Sequence, residues 1–200
     1  MPRTKEQYEK NRDEKRQLIK KAALSLFALK GYDATSIGDI ANNAEISKGL
    51  MYHYFVSKEE LLQVIWDELA GEFEQIIDPD HDGEITDRKA ENFIDAVFEM
   101  FKNKREMWKL YYQLSFQPKV VEFLLKSYHN EKTQLWQNLM FGYFVKKLNL
   151  PAEFGFFSVL VFFKGLGMVT TYTESVFGND FLDRYKAFCK QIIFKPQTVC

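Results

Sequence analysis

The stretch SKGLMYHYFVSKEEL, residues 47–61, constrains the fold most, because it holds two helix-start signals ten residues apart. The segment SKEE, residues 57–60, is a capping box, in which a serine and a glutamate three positions later satisfy free N–H groups of the first helical turn. Ser47 is a second N-cap residue. The segment between the two signals has room only for a short helix, which we expect to end near Tyr54.

Another short helix is predicted just before this one. In the stretch TSIGDIANNAEIS, Ser36 and Asp39 form a variant capping box with Asp in place of Glu or Gln. The apolar residues that follow lie on one face of a helix, and a turn around residues 44–46 separates them from Ser47. Two short helices joined by a tight turn form a helix-turn-helix.

Helical periodicity also dominates the rest of the chain. The first helix is predicted over residues 13–30, where Leu18, Ala22 and Leu26 recur at every fourth position and Gly31 ends the helix. Further helices are predicted over residues 57–77, 88–103, 104–116, 118–148, 152–175 and 180–194, with prolines at two of the breaks. Because no segment alternates as a strand would, the sequence predicts an all-α fold.

Positive charge is concentrated at the N-terminal end. Residues 1–21 hold eight Lys and Arg against four Asp and Glu, whereas residues 61–200 hold sixteen against nineteen, and the net charge is −1. We therefore expect only the N-terminal end to meet a polyanion.

The N-terminal end of the short helix 47–54 carries the side chains that a major-groove reader needs. Such a helix enters the groove with slim polar residues, and Gly49 lets the backbone approach the DNA closely. Lys48 can donate to guanine or to a phosphate, and the Tyr52 hydroxyl suits a phosphate. We expect His53 to face DNA or solvent.

The same residues could be ordinary surface and packing residues. Leu50, Met51 and Phe55 are spaced to anchor the short helix on the first helix, and Lys48 alone would indicate nothing. The ordered set, followed by a capping box, is what favours DNA binding.

The stretch TSIGDIANNAEISKGLMYHYFVSKEELL resembles the N-terminal signature of TetR-type transcriptional regulators, which runs roughly T-x-x-D-I-A-x-x-A-G-V-S-x-G-x-L-Y-x-H/Y-F-x-S-K-E-x-L. The resemblance covers about residues 18–65, and beyond residue 70 it is one of length and helical character. It implies a three-helix DNA-binding domain over residues 1–56, a connecting helix over 57–77, and a helical ligand-binding and dimerisation domain over 78–200.

The resemblance also implies DNA contacts at individual positions, most of which the residues themselves suggest. The start of the helix at Thr35 and Ser36 suits a phosphate, as does Lys58 at the start of the fourth helix. The predicted DNA-binding residues are Thr35, Ser36, Ser47, Lys48, Gly49, Tyr52, His53, Tyr54 and Lys58.

Two residues depart from the family pattern. Glu45 stands where the family usually has Gly in the turn, which costs about 1 kcal/mol if φ is positive there. Met51 replaces the usual Leu, which conserves volume.

The C-terminal part is expected to bind a small molecule and a second subunit. The last two long helices, residues 152–175 and 180–194, would form a four-helix bundle in a homodimer, as the resemblance implies. The predicted interface residues are Gly165, Gly167, Phe181, Tyr185, Phe188 and Ile192. The middle of the chain is rich in aromatic residues, and a pocket for an apolar or aromatic effector is predicted at Trp108, Tyr112 and Trp136.

The acidic stretch DPDHDGEITDRK, residues 78–89, matches part of a calcium-binding loop. Asp78, Asp80, Asp82 and Gly83 occupy positions 1, 3, 5 and 6, but Lys89 stands at position 12, where calcium needs a bidentate Glu. We therefore expect a solvated acidic linker and no metal site.

Other classes of protein are disfavoured. The sequence holds no nucleophilic triad, phosphate loop or metal-like histidine spacing, so neither an enzyme nor a cofactor is expected. Two cysteines, Cys189 and Cys200, and the absence of an apolar leader fit a cytoplasmic protein. Residues 154–172 are apolar, but Lys164 lies in their middle and argues against a membrane span.

The sequence thus predicts a TetR-type regulator, most simply a repressor that acts as a homodimer on a palindromic double-stranded DNA operator. The alternative is a helical ligand-carrier or partner-binding protein whose helix-turn-helix serves packing only. Steep salt dependence of DNA binding would separate the two.

Overall fold

The computed structural model describes residues 5–127, 131–151, 158, 161–162, 164–169 and 180–194, with the side chains of residues 127 and 131–137 excepted. No strand occurs in this described part, which confirms the all-α prediction. The helices are α1 (Lys5–Leu29), α2 (Ile37–Asn43), α3 (Lys48–Tyr54), α4 (Lys58–Ile77), α5 (Asp87–Asn103), α6 (Arg105–Ser115), α7 (Pro118–Ser127), α8 (Glu131–Lys147) and α9 (Phe181–Phe194).

The helix bounds confirm most of the predicted elements and correct one. α1 begins at Lys5, eight residues before the predicted start. Its added residues, 5–12, are all exposed and are mostly Lys, Glu, Gln and Arg, which favour helix without any apolar stripe to reveal it. The predicted helix 118–148 corresponds to α7 and α8, and most of the predicted helix 152–175 lies outside the described residues.

The chain divides into two compact units. The first contains Met1–Leu69 and Leu110–Leu124, and the second contains Ala70–Lys109 and Leu125–Cys200. The boundaries predicted at residues 56 and 77 separate independent domains. The compact units do not test such domains, so these boundaries stay a prediction.

The first unit is built around the second half of α1. Ile19, Ala23 and Phe27 recur at every fourth position and are fully buried, as is Met51 of α3. The remaining fully buried members of this core with large side chains are Ile40, Phe55, Leu61, Leu62 and Leu114. Lys20 is also buried and its ammonium is bound to the Glu68 carboxylate, which ties α1 to α4.

The second unit has an aromatic core. The ring of Trp108 lies edge-on to Phe101 at 4.7 Å and near Phe73 at 5.8 Å, while Phe93 neighbours both Phe73 and Phe144. α9 packs on α5 through its buried residues Leu182, Cys189 and Ile193, and Lys190 bonds Asp95 at 2.6 Å. Burial raises the pKa of the Cys189 thiol to about 11, which keeps it protonated at neutral pH.

The loop between α4 and α5 contains an internal cation, the Lys89 ammonium. The Lys89 ammonium bonds Asp78 at 3.0 Å, Asp82 at 2.6 Å and the Glu84 carbonyl at 2.9 Å, and it is also bound to Asp80. The three carboxylates lie close enough together to share a metal ion. Lys89 therefore holds the loop together, while residues 79–84 are exposed, as expected of the predicted solvated linker.

Among the described residues, no helix combines the length and apolar character needed to cross a bilayer.

Candidate nucleic-acid interface

Serine caps set the starts of the helices at the interface. The Ser36 hydroxyl accepts from the Asp39 amide at 3.1 Å and the Asp39 carboxylate accepts from the Ser36 amide at 2.8 Å, so the predicted box at α2 is confirmed. Hydrogen bonds from the backbone of Ser36 and from Lys30 lower the pKa of Asp39. Ser47 caps α3 by accepting from the Leu50 amide at 3.1 Å.

The cap at α4 differs slightly from the predicted box. The Ser57 hydroxyl accepts from the Glu60 amide at 3.1 Å, as expected. The Glu60 carboxylate accepts from the Val56 amide at 2.6 Å, one residue earlier than in a standard capping box. The cap still sets the start of α4 at Lys58, four residues after α3 ends at Tyr54.

Lys48, Gly49, Tyr52 and His53 are all exposed, and we call them the exposed face of α3. Ser47 is also exposed, while Tyr54 is half-buried with its ring edge-on to His53 at 5.8 Å. A Cβ added to Gly49 would meet no atom within 4 Å, so the fold itself does not require a glycine there. The exposed face of α3 therefore offers a partner a lysine and open space at its N-terminal end, and a tyrosine one turn later.

The opposite side of α3 is anchored in the core. Met51 and Phe55 are buried, as predicted, and the guanidinium of Arg16 lies 4.6 Å from the centre of the Phe55 ring. Leu50 was predicted to be a third anchor but is 39% exposed. Met51 faces the core. Leu50 precedes it by one residue, which on a helix turns its side chain toward a different and partly exposed side.

The turn between α2 and α3 is strained at Glu45. Its φ is +53°, the left-handed region that favours glycine. This confirms that the departure from the family pattern falls where backbone conformation makes it costly.

Two predicted DNA contacts have internal roles in the first unit. The Thr35 side chain is buried, and its hydroxyl donates to the Gly31 carbonyl at 2.7 Å. The Lys58 ammonium donates to the carbonyls of Tyr32 at 2.7 Å and of Thr35 at 3.0 Å. The carbonyls of Gly31, Tyr32 and Thr35 lie in the segment after α1, where no helix satisfies them, and these side chains supply donors. Contact of either residue with DNA stays a prediction.

A groove of about 600 Å³ lies between the N-terminal half of α1 and α3. Arg12 and Lys15 line it on the α1 side, and His53 and Tyr54 on the α3 side. Two cations thus stand beside the exposed face of α3. Neither residue was predicted to contact DNA, although the excess of positive charge at the N-terminal end was a signal.

The predicted pocket residues are placed in separate parts of the chain. Trp108 is buried in the second unit, Tyr112 is buried in the first, and the side chain of Trp136 lies outside the described residues. Burial raises the pKa of Tyr112. A pocket at these residues stays a prediction.

The predicted dimer residues of α9 lie along one side of the helix, where Phe188 and Ile192 are exposed, Phe181 and Tyr185 are half-buried, and the Tyr185 ring lies edge-on to Phe98 of α5 at 6.2 Å. The rings of Phe181 and Tyr185 stack at 5.7 Å, and Phe188 and Ile192 are 55% and 48% exposed. Gly165 and Gly167 lie in the helical stretch 164–169, where Gly167 is buried. A second subunit at this face stays a prediction.

Comparison with known proteins places this helix-turn-helix in a family. Residues 19–65 match the sequence model of the bacterial regulatory proteins of the tetR family. The HTH-type repressor KstR2 of Mycolicibacterium smegmatis is 40% identical over 81 residues, which cover 38% of this chain and 38% of that protein. IcaR of Staphylococcus epidermidis, a negative transcriptional regulator of a biofilm operon, is 26% identical over 165 residues, covering 80% of this chain and 83% of that protein.

A solved structure extends the likeness of the fold along the chain. A TetR-family regulator from Syntrophomonas wolfei superposes with a TM-score of 0.68 and 22% identity, over 94% of this chain and 99% of that one. By sequence, the match to KstR2 spans 38% of its length and the matches to two Bacillus subtilis regulators span 17% of each.

The fold and the exposed face of α3 thus define a helix-turn-helix protein with a helical C-terminal part. Its N-terminal part, residues 19–65, is that of the TetR family of bacterial regulatory proteins.

Proposed function

We propose that this chain is a transcriptional regulator that binds double-stranded DNA through the exposed face of α3. The observation that carries this proposal is the contrast between the two sides of α3. Met51 and Phe55 fix the helix to the core, while Lys48 and Gly49 at its N-terminal end and Tyr52 one turn later are exposed. Slim polar residues at this end suit the major groove, and Arg12 and Lys15 stand beside it for the phosphates.

Substitution of Gly49 tests the proposal with a matched control. Gly49→Ala should leave the unfolding free energy unchanged or raise it slightly, since Ala favours helix and nothing in the chain obstructs its Cβ. It should also weaken binding to a duplex selected by the protein from a random-sequence pool. Gly142→Ala, at another helical glycine with open space around it, should leave binding unchanged. Equal DNA affinity of all three proteins would refute the interface.

The proposed active form is a homodimer on a palindromic site. α9 supports it, because Phe188 and Ile192 expose apolar surface, beside the half-buried Phe181 and Tyr185, on a helix whose buried residues pack against α5. Two recognition helices related by a two-fold axis would meet half-sites about one helical turn, or a multiple, apart. DNA binding implies action in the cytoplasm.

The proposed regulation is release of a repressor from its operator by a small apolar or aromatic effector. KstR2 and IcaR are a repressor and a negative regulator. The helices α4 and α6 support such coupling here, since each begins in one unit and ends in the other. An effector that prefers one tilt of these helices needs a coupling of about 1–3 kcal/mol to change DNA affinity roughly 5- to 150-fold.

The regulation is tested separately from DNA binding. Apolar and aromatic compounds that raise the thermal midpoint are titrated against the protein bound to its selected duplex. Release of the duplex is the expected result. If every such compound binds without changing DNA affinity, the chain is a regulator without this switch.

A further inference from the structure

The side chain of Gln117 joins the turn between α6 and α7 to the end of α1 through two hydrogen bonds. The carboxamide of Gln117 accepts a hydrogen bond from the Tyr32 amide at 2.7 Å and donates one to the Phe27 carbonyl at 2.7 Å. All three residues belong to the first unit, although 85 and 90 residues separate them along the chain.

Both backbone groups are ones that a helix end leaves unsatisfied. α1 ends at Leu29, so the Phe27 carbonyl lies in the last turn, where no intrahelical N–H reaches it. Gly31, with φ of +99°, reverses the chain and leaves the Tyr32 amide beyond the helix. One glutamine supplies the missing donor and the missing acceptor, and so acts as a C-cap from a distant turn.

The same stretch of backbone is held from its other side by α4. The Lys58 ammonium donates to the carbonyls of Tyr32 and Thr35, and it lies 4.5 Å from the centre of the Tyr32 ring. Tyr32 also donates its hydroxyl to Glu59 at 3.2 Å. Residues 31–35 are therefore clamped between the start of α4 and Gln117.

This clamped segment sets where the helix-turn-helix begins. Ser36, the N-cap of α2, follows Thr35 directly. α2 in turn packs on α3, which carries the exposed face. A displacement of residues 31–35 would thus be passed to α2 and α3, because neither short helix is stable without its packing.

We propose that Gln117 is a positioning residue for DNA binding, through which the α6–α7 turn fixes residues 31–35 and hence the placement of α3. This inference rests on the proposed DNA-binding function. α6 starts in the second unit and runs into the turn that carries Gln117, so a shift of α6 would move the side chain that binds the end of α1. An exposed ion pair between Lys119 and Asp33 at 2.7 Å joins the same two segments but contributes little, since water surrounds it.

The variant Gln117→Met tests this, because Met has a similar length but can neither accept nor donate these bonds. Duplex selected by the wild-type protein from a random pool is titrated with each protein, and hydrogen exchange of the segment containing Tyr32 is followed. We expect faster exchange there and roughly tenfold weaker binding. The stability control is Val120→Ala, which opens a cavity at a buried residue of α7 in the same unit.

The outcomes separate positioning from mere stability. Val120→Ala should lower the thermal midpoint as much as Gln117→Met or more, yet bind DNA like the wild type at temperatures where all three are folded. Wild-type affinity in Gln117→Met, or an equal loss in both variants, would overturn the positioning role alone. Absence of any duplex binding by the wild type would instead overturn the proposed function on which the role rests.

Discussion

The ammonium of Lys58 donates a hydrogen bond of 2.7 Å to the carbonyl oxygen of Tyr32, inside the first unit. Loss of a phosphate-binding lysine lowers the salt dependence of DNA binding by about one ion, so the salt slope distinguishes that role from the internal bonds of Lys58. We predict that Lys58→Met lowers the unfolding free energy by about 2 kcal/mol, because two backbone carbonyls lose a charged donor. Urea denaturation measures this loss, and the salt slope of duplex binding should stay unchanged. A lower slope with unchanged stability would mean that Lys58 faces DNA.

At the Glu45 turn we predict a substitution that raises the unfolding free energy, whereas Lys58→Met lowers it. Its φ of +53° is costly for any side chain with a Cβ, so Glu45→Gly should raise the unfolding free energy by about 1 kcal/mol. Glu45→Ala removes the charge but keeps the Cβ, and it should give no such gain. Chemical denaturation of the three proteins measures the effect. Equal stabilisation by Gly and Ala would show that charge, not backbone strain, is relieved.

Lys89 lies where a calcium loop would hold its ion, and its ammonium is bound to Asp78, Asp80 and Asp82. Burial opposes its charge, but the bonds to Asp80, Asp82 and Asp78 prevail and raise the pKa of Lys89. Lys89→Glu should lower the thermal midpoint by on the order of 5 °C, because four carboxylates then repel one another. Millimolar calcium should restore it, since Glu at this position completes the ligand set.

The control for the loop is Arg88→Glu, which makes the same charge change at the exposed neighbouring position. Neither it nor the wild type should respond to calcium. If Lys89→Glu is as stable as the wild type, or ignores calcium, Lys89 does not act as the internal cation of this loop.

Substitutions on α9 test whether this helix forms the proposed dimer interface. Phe188 is 55% exposed on the proposed interface face, and the adjacent Ala187 is exposed on another side of the helix. Phe188→Glu should convert the dimer to monomer at micromolar concentration, because a charge buried between apolar helices is strongly unfavourable. Sedimentation measures the state, and Ala187→Glu should remain dimeric. A dimeric Phe188→Glu protein would place the interface elsewhere.

Local signals made the helix-turn-helix predictable from the sequence. The caps at Ser36 and Ser47 act over three residues, so a short sequence window contains both partners. The buried spacing of Met51 and Phe55 is equally local. The left-handed turn could be suspected at Glu45 because the family resemblance marks that position for glycine.

Long-range contacts explain what the sequence could not reveal. Lys58 looks like a surface lysine at a helix start, but its partners are carbonyls 23 and 26 residues away. Gln117 bonds groups 85 and 90 residues away, and no periodic pattern marks it. The early start of α1 was hidden for another reason, since an exposed helix of charged residues has no apolar stripe.

The salt dependence of duplex binding tests the central claim most directly. The duplex selected from a random pool is titrated with wild type and with Lys48→Ala at several salt concentrations between about 50 and about 200 mM. We predict that wild-type affinity falls at least about tenfold across this range and that Lys48→Ala binds more weakly with a shallower slope, because each subunit loses a cation at the DNA. Salt-independent binding, or a Lys48→Ala protein that is indistinguishable from the wild type, would contradict the assignment of α3 as the DNA-reading helix.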